Sequence, residues 1–134
     1  MKEIIKVLLV DDEPTVRAGL RMRLELESDL AIAGEAGNGL EALRLAQEVQ
    51  PDVVVMDVEM PKMDGITAAT ELKATASPPP VVMSSIHDDI LTRARANAAG
   101  AAAFVGKQEG VELLIDTIRR VAEFRLGRPD TKEW

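Results

Sequence analysis

The chain lacks cysteine and tyrosine and has one tryptophan, two phenylalanines and one histidine. The absence of cysteine excludes disulfides and thiolate metal sites. The scarcity of aromatic side chains argues against base stacking on nucleic acid. No apolar run approaches the length that spans a bilayer, and an acid stands near the N-terminus where a signal peptide would be basic. We therefore expect a cytoplasmic protein.

Basic residues are fewer than acidic ones, and the formal net charge is −7. An acidic domain repels nucleic acid and anionic membranes unless a basic patch overrides its field. The arginines are scattered over helix-like segments, where we expect solvated helix faces: Arg17, Arg21, Arg23, Arg93, Arg95, Arg119 and Arg120. We expect no nucleic-acid or membrane partner. The length of 134 residues fits one domain.

Strand-like apolar runs alternate with helix-like segments along the chain. The predicted strands cover 6–10, 30–36, 53–57, 81–85 and 101–105, and the predicted helices cover 14–27, 40–49, 64–74, 88–100 and 111–122. Five β–α units predict an α/β fold, a three-layer αβα sandwich around a five-stranded parallel sheet. The flavodoxin-like strand order 2-1-3-4-5 places ligands between strands one and three, at their carboxyl ends.

Polar side chains stand at those carboxyl ends. Asp11 and Asp12 follow strand one, Asp57 ends strand three, Ser85 ends strand four and Lys107 follows strand five. One strand-end aspartate often only caps the next helix. Five such residues at one sheet edge indicate chemistry instead.

Three carboxylates gathered at one edge need a counter-ion. Two unit charges about 4 Å apart repel by about 4 kcal/mol at an effective dielectric near 20. Oxygen ligands without cysteine, and with His87 elsewhere, favour Mg²⁺ over zinc. An aspartate beside Mg²⁺ and a lysine is a plausible nucleophile toward phosphorus and would form an aspartyl phosphate.

Four segments of the chain resemble the CheY-like receiver domain of two-component response regulators. They are LLVDDEP, MDVEMPKMDG, VVMSS and GAAAFVGK, in this order along the chain. The resemblance covers residues 6–126 and is strongest to the NarL/FixJ (LuxR-type) subgroup. It implies a receiver domain over 1–127 and a tail or the start of a linker over 128–134. The chain is then a single-domain regulator or a receiver excised from a longer one.

The resemblance also implies residue roles. Asp57 is the phosphoacceptor, with Ser85 and Lys107 contacting the phosphoryl group. Asp11, Asp12, Asp57 and the backbone carbonyl of Glu59 hold Mg²⁺. Phe104 is the switch aromatic, which turns when Ser85 moves. The Met60-Pro61 and Asp64-Gly65 pairs shape the turn that presents Asp57.

The implied partners are a sensor histidine kinase as donor and an output domain or downstream protein. The output face comprises the fourth helix, fifth strand and fifth helix, near residues 88–122. A homodimer of the phosphorylated form is also implied. The protein is then a phosphoacceptor switch and not an enzyme in the ordinary sense, because it acts only on its own phosphoryl group.

Several positions depart from the usual family pattern. Gln108 follows Lys107 where many members have proline, so the local loop should differ. Phe104 replaces a commoner tyrosine. Glu59, Ile86 and His87 are placed to control access to Asp57, through charge and bulk. We expect slow self-dephosphorylation, and we expect His87 to be an exposed loop residue of small effect.

Three other interpretations are weaker. A phosphohydrolase with an aspartate nucleophile needs a second aspartate two residues on, where Glu59 stands, and a late acidic pair. A flavodoxin would place Ser and Thr, not DDEPT, around the flavin phosphate. A receiver-like interaction module that signals without phosphate conflicts with the intact set of five polar residues.

Overall fold

The computed structural model describes residues 3–125, with five strands and five helices in alternation. The strands are β1 (Ile5–Val10), β2 (Leu30–Ala36), β3 (Val53–Met56), β4 (Val81–Ser85) and β5 (Ala103–Gly106). The helices are α1 (Pro14–Leu24), α2 (Gly39–Val49), α3 (Gly65–Lys73), α4 (Ile90–Ala98) and α5 (Val111–Arg125), with a 3₁₀ turn over Lys107–Glu109. None of the helices within 3–125 is long and apolar enough to cross a membrane.

The strands form one parallel sheet in the order β2-β1-β3-β4-β5. The predicted fold and strand order are confirmed. The last residues of neighbouring strands pair, as Val10 does with Met56 and Ser85 with Gly106. Asp11, Asp57 and Lys107 therefore leave the sheet at the same edge.

Both faces of the sheet are covered by helices, so successive strand residues enter two separate cores. On β3, Val54 and Met56 belong to the core that also contains Ala42, Ala69, Leu72 and Ala96 from α2, α3 and α4. Val53 and Val55 belong to the core shared with α1 and α5, which contribute Leu24, Leu114, Ile115, Ile118 and Ala122. This alternation follows from the two-residue period of a strand.

Three helices that border the carboxyl edge of the sheet begin with a side-chain cap. Asn38, Asp64 and Asp89 each accept a hydrogen bond from the backbone N–H three residues later. Such caps satisfy a free N–H group of the first turn. Asp64 thus precedes α3 and does not belong to it, so the helix begins one residue later than predicted.

Some apolar side chains within and just after the helices lie in solvent. Leu26 is 78% exposed because α1 ends at Leu24 and the chain turns away. Val16 and Leu40 are also exposed, at 42% and 50%. The helix predicted over 14–27 begins at Pro14 as expected but ends three residues early, at Leu24.

The arginines expected on solvated helix faces are, in several cases, in defined ion pairs. Arg119 of α5 donates to Asp29 at 2.9 and 3.0 Å and to Glu27 at 2.6 Å. These bonds fasten the segment between α1 and β2 to α5. Arg119 therefore has a structural role that its position in an amphipathic helix did not reveal.

Candidate functional site

An acidic cluster lies where β1 and β3 end. Asp11, Asp12 and Asp57 each offer a carboxylate oxygen, and these three oxygens lie within 4.8 Å of one another. The backbone N–H of Asp57 donates to the Val10 carbonyl at 3.0 Å, which continues the pairing of β3 with β1. The sheet itself thus brings the two strand ends together.

Lys107 enters the cluster from the 3₁₀ turn after β5. Its Nζ donates to Asp11 Oδ2 at 2.8 Å and to Asp57 Oδ2 at 3.3 Å. Asp11 is only 5% exposed, so the ammonium group compensates a carboxylate that water scarcely reaches. Lys107 joins residues that are 50 and 96 positions away in the chain.

Burial and neighbouring charges shift the pKa values of Asp57 and Lys107. Burial raises the pKa of the Asp57 carboxyl, and repulsion from Asp11 adds to the rise, although attraction by Lys107 opposes it. Burial alone would lower the pKa of Lys107, but its hydrogen bond to Asp11 and its attraction to Asp57 raise that pKa overall. The lysine therefore stays charged, while the Asp57 carboxylate lies in surroundings that favour added positive charge.

The segment between β3 and α3 presents Asp57 through short hydrogen bonds. Asp57 Oδ1 accepts from the Val58 N–H at 2.7 Å, and the Val58 carbonyl accepts from the Gly65 N–H at 2.7 Å. The N–H of Gly39, at the start of α2, donates to the Met63 carbonyl at 2.9 Å. The turn is thus held against both α3 and α2.

Ser85 lies at the end of β4 and is fully buried. Its Oγ accepts a hydrogen bond from the His87 N–H at 3.0 Å. The hydroxyl oxygen is therefore engaged by its own loop, and Ser85 is not among the residues that line the open cleft over Asp57. Phe104 is half-buried on β5 and packs against the core beside α4.

The cleft over Asp57 has a volume of about 540 Å³. Glu59, Ile86 and His87 line it, together with Asp12 and Lys107 among others. The Nε2 atom of His87 lies 2.9 Å from Glu59 Oε1, so these two side chains meet across the cleft. His87 is an exposed loop residue, as expected, but it has a specific partner.

This arrangement suits a small hard cation bound beside the Asp57 carboxylate. Mg²⁺ takes oxygen ligands and usually uses one or two carboxylates with water. The three clustered oxygens meet that requirement, and the cleft lined by Asp57 and Lys107 has space for a phosphoryl group. An anionic group placed there faces the ammonium directly.

Sequence reasoning missed Arg17, which supports the acidic cluster from α1. Its Nη1 donates to the Asp11 backbone carbonyl, and its Nε donates to Glu35 Oε1 at 3.0 Å. Glu35 also accepts from Arg21. The sequence feature that could have indicated this contact is Glu35, because an acid inside the apolar strand LAIAGEA needs a basic partner.

A five-stranded parallel sheet that carries clustered aspartates and a lysine at its carboxyl edge defines the class of CheY-like receiver domains. Residues 7–119 match the response regulator receiver domain family. The chain belongs to this family.

Individual relatives agree with this assignment. The chain is 36% identical over 121 residues to the transcriptional regulatory protein YxjL of Bacillus subtilis, covering 90% of this chain and 56% of that protein. The signal receiver domain of the response regulator NarL from Mycobacterium tuberculosis superposes with a TM-score of 0.81 and 32% identity, covering 87% of this chain and 98% of that chain. A LuxR-family DNA-binding response regulator from Staphylococcus aureus superposes with a TM-score of 0.84 and 26% identity, covering 89% and 99%.

The chain spans about half the length of YxjL. It corresponds to the receiver domain of a two-component response regulator and is homologous to regulators of the LuxR type.

Proposed function

We propose that this domain accepts a phosphoryl group on Asp57 and signals by the resulting change of shape. The observation that carries the proposal is the joint contact of Lys107 Nζ with Asp11 and Asp57, inside a cluster of three carboxylates. A lysine and a cation site beside one carboxylate provide charge compensation for a transferred phosphoryl group. The protein is thus a phosphoacceptor switch that catalyses only its own phosphorylation and dephosphorylation.

In this proposal Asp12 and Asp57 bind Mg²⁺ directly, the Glu59 backbone carbonyl is a further ligand, and Asp11 completes the acidic set. Mg²⁺ would neutralise negative charge on the phosphoryl oxygens. A carboxylate oxygen of Asp57 forms the new bond to phosphorus as the bond from phosphorus to the donor breaks. Lys107, already 3.3 Å from Asp57, pairs with the transferred group.

The proposed switch uses Ser85 and Phe104. Phosphorylation adds about −1.5 to −2 charge and strong acceptor oxygens beside Lys107. Ser85 then gives up its bond with the His87 N–H, turns its hydroxyl to the phosphoryl group and leaves space for Phe104. The face of α4, β5 and α5 changes as a result.

The proposed donor is a sensor histidine kinase. The proposed receiver of the signal is an output domain or downstream protein on the face of α4, β5 and α5, as in a LuxR-type regulator, with a homodimer of the phosphorylated form. We propose a cytoplasmic location and a domain boundary after residue 127. That boundary lies outside the described residues.

The direct test is Mg²⁺-dependent labelling by a small phosphodonor. Acetyl phosphate with Mg²⁺ should add one phosphoryl group to the protein, and the adduct should map to the peptide that contains Asp57. Chelation of Mg²⁺ with EDTA should abolish the addition, because the carboxylates alone repel the donor. Absence of any adduct with Mg²⁺ would favour a phosphate-independent interaction module, and steady release of phosphate from many esters would favour a phosphohydrolase.

We further propose that the phosphorylated form is long-lived, because Ile86 and Glu59 hinder the attacking water. Both side chains line the cleft, and Ile86 is 67% exposed within reach of incoming molecules. Replacing Ile86 by alanine should shorten the lifetime of the phosphorylated protein by roughly threefold to tenfold, which is about 0.7–1.4 kcal/mol of activation free energy. Loss of the phosphoryl group is followed by mass spectrometry after removal of the donor.

The matched control is Ile90→Ala. Ile90 is 88% exposed at the first residue of α4 and does not line the cleft. Its removal should leave the lifetime unchanged. Equal lifetimes for Ile86→Ala and wild type would show that bulk at residue 86 does not protect the phosphoryl group.

A further inference from the structure

Arg93 of α4 contacts two loops and the edge strand at once. Its guanidinium carbon lies 4.7 Å from the centre of the Phe104 ring, within the range of a cation–π contact. Nη1 donates to the Phe104 carbonyl at 3.4 Å, and Nε donates to the Asp88 carbonyl at 3.1 Å. Nη2 pairs with Glu109 Oε2 at 3.3 Å. One side chain thus fixes the ring and the backbone of Phe104.

Two partners of Arg93, Asp88 and Glu109, also bond further residues around β5 and the turn that follows it. The Asp88 carboxylate accepts from the Gln108 side-chain amide, and Glu109 Oε2 accepts from the Gly106 N–H at 2.7 Å. We call Asp88, Arg93, Gln108 and Glu109 the Arg93 network. The network packs closely against Gly106: a Cβ added there would lie only 2.9 Å from Asp88 Oδ2.

The Arg93 network touches both loops that carry the proposed phosphoryl contacts. Asp88 is three residues from Ser85, and Gln108 and Glu109 directly follow Lys107 within one 3₁₀ turn. A shift of either loop toward a group on Asp57 would change the distances from Arg93 to Asp88 and Glu109. The contacts of Arg93 therefore depend on the separation of these loops.

We propose that Arg93 is a positioning residue that holds Phe104 and the turn after Lys107 in the arrangement of the unphosphorylated protein. This inference rests on the proposed function, since it assigns Arg93 to the resting side of the proposed switch. Phosphorylation has to loosen the Arg93 network before Phe104 can turn. The network thus sets how easily the domain reaches its phosphorylated shape.

The geometry of a guanidinium explains why arginine suits this position. Its planar fork donates in several fixed directions, which lets one group bond two carbonyls and a carboxylate while it stacks on a ring. A lysine keeps the positive charge but not this fork. The side chain of Arg93 is 38% exposed, so its replacement should leave the core intact.

The test uses the fact that the chain has only two phenylalanines, Phe104 and Phe124. Incorporation of 4-fluorophenylalanine should give two ¹⁹F resonances, assigned with a Phe124→Leu variant. We expect the Phe104 resonance of Arg93→Met to be displaced toward its position in the phosphorylated wild type, before any donor is added. Arg93→Lys should lie between the two, and Arg95→Met, an exposed residue of the same helix, should match the wild type.

The second measurement is the rate of labelling by acetyl phosphate with Mg²⁺. Loss of an exposed cation–π contact should speed labelling of Arg93→Met by roughly twofold to fivefold. An unchanged Phe104 resonance, or unchanged or slower labelling, would overturn the role of Arg93 while the proposed function stands. If the wild type takes up no label, the proposed function fails and the inference fails with it.

Discussion

Replacing Asp57 by asparagine should abolish labelling by acetyl phosphate and, without Mg²⁺, should raise the free energy of unfolding. The amide is a poor nucleophile and carries no charge for a cation, so the acyl phosphate cannot form. The same change removes a carboxylate that sits 13% exposed beside the buried Asp11. We expect a gain of roughly 1 kcal/mol, the usual size of a single-substitution effect.

The sign of the stability change follows from the pKa of Asp57. Burial raises the pKa of this carboxyl in the folded protein, with Asp11 contributing and Lys107 opposing. A raised pKa means that the fold favours the protonated acid. The contribution of Asp57 to stability is therefore present below its unfolded pKa and is lost as the pH rises through its folded pKa. The stabilisation by Asp57→Asn should be small in acid and should grow toward neutral pH.

Urea unfolding of the two proteins at several pH values, in EDTA, measures this difference. Asp116→Asn on the exposed face of α5 is the matched control for the change in net charge. A stability loss in Asp57→Asn at neutral pH would show that the ion pair with Lys107 outweighs the burial of the carboxylate. Asp57 would then stabilise the fold by anchoring Lys107, whatever the result of the labelling.

The fold and the centre of the site could be predicted because both depend on short-range patterns. Apolar runs such as VVVM located the buried strands, and alternation of strands with helices implied a parallel sheet. Parallel strands align their carboxyl ends, so Asp11 and Asp57 had to meet once the strand order was known. No individual side-chain contact was needed for that prediction.

The supporting contacts could not be predicted, because they depend on how helices are rotated and where loops end. Arg93 and Phe104 are 11 residues apart, and nothing in the sequence shows that one lies over the ring of the other. The pairing of His87 with Glu59 likewise depends on two loops leaving neighbouring strands. A long, flexible side chain can reach several partners, so composition alone does not identify the one it takes.

Replacing Gly65 by alanine should strongly destabilise the domain, because the added methyl group has no room. A Cβ on Gly65 would lie 2.0 Å from the backbone carbonyl oxygen of Asp57 and 2.9 Å from Met83 Cε. Met83 can shift, but the Asp57 carbonyl directly follows β3, and the Asp57 N–H is bonded to Val10, so the carbonyl cannot move without the strand. We expect a loss of about 3 kcal/mol in the free energy of unfolding, at the upper end for an overpacked site.

The same displacement should reach the site, since the Gly65 N–H bonds the Val58 carbonyl next to Asp57. Labelling of the folded Gly65→Ala protein should therefore be slower than that of the wild type. Gly19→Ala in α1 is the matched control, because its added methyl group meets no atom within 4 Å and a helical glycine costs about 0.5–1 kcal/mol relative to alanine. The control should gain stability where Gly65→Ala loses it. Equal free energies of unfolding for the two variants would mean that the backbone after β3 shifts easily to accommodate the methyl group. The close approach at Gly65 would then not position Asp57.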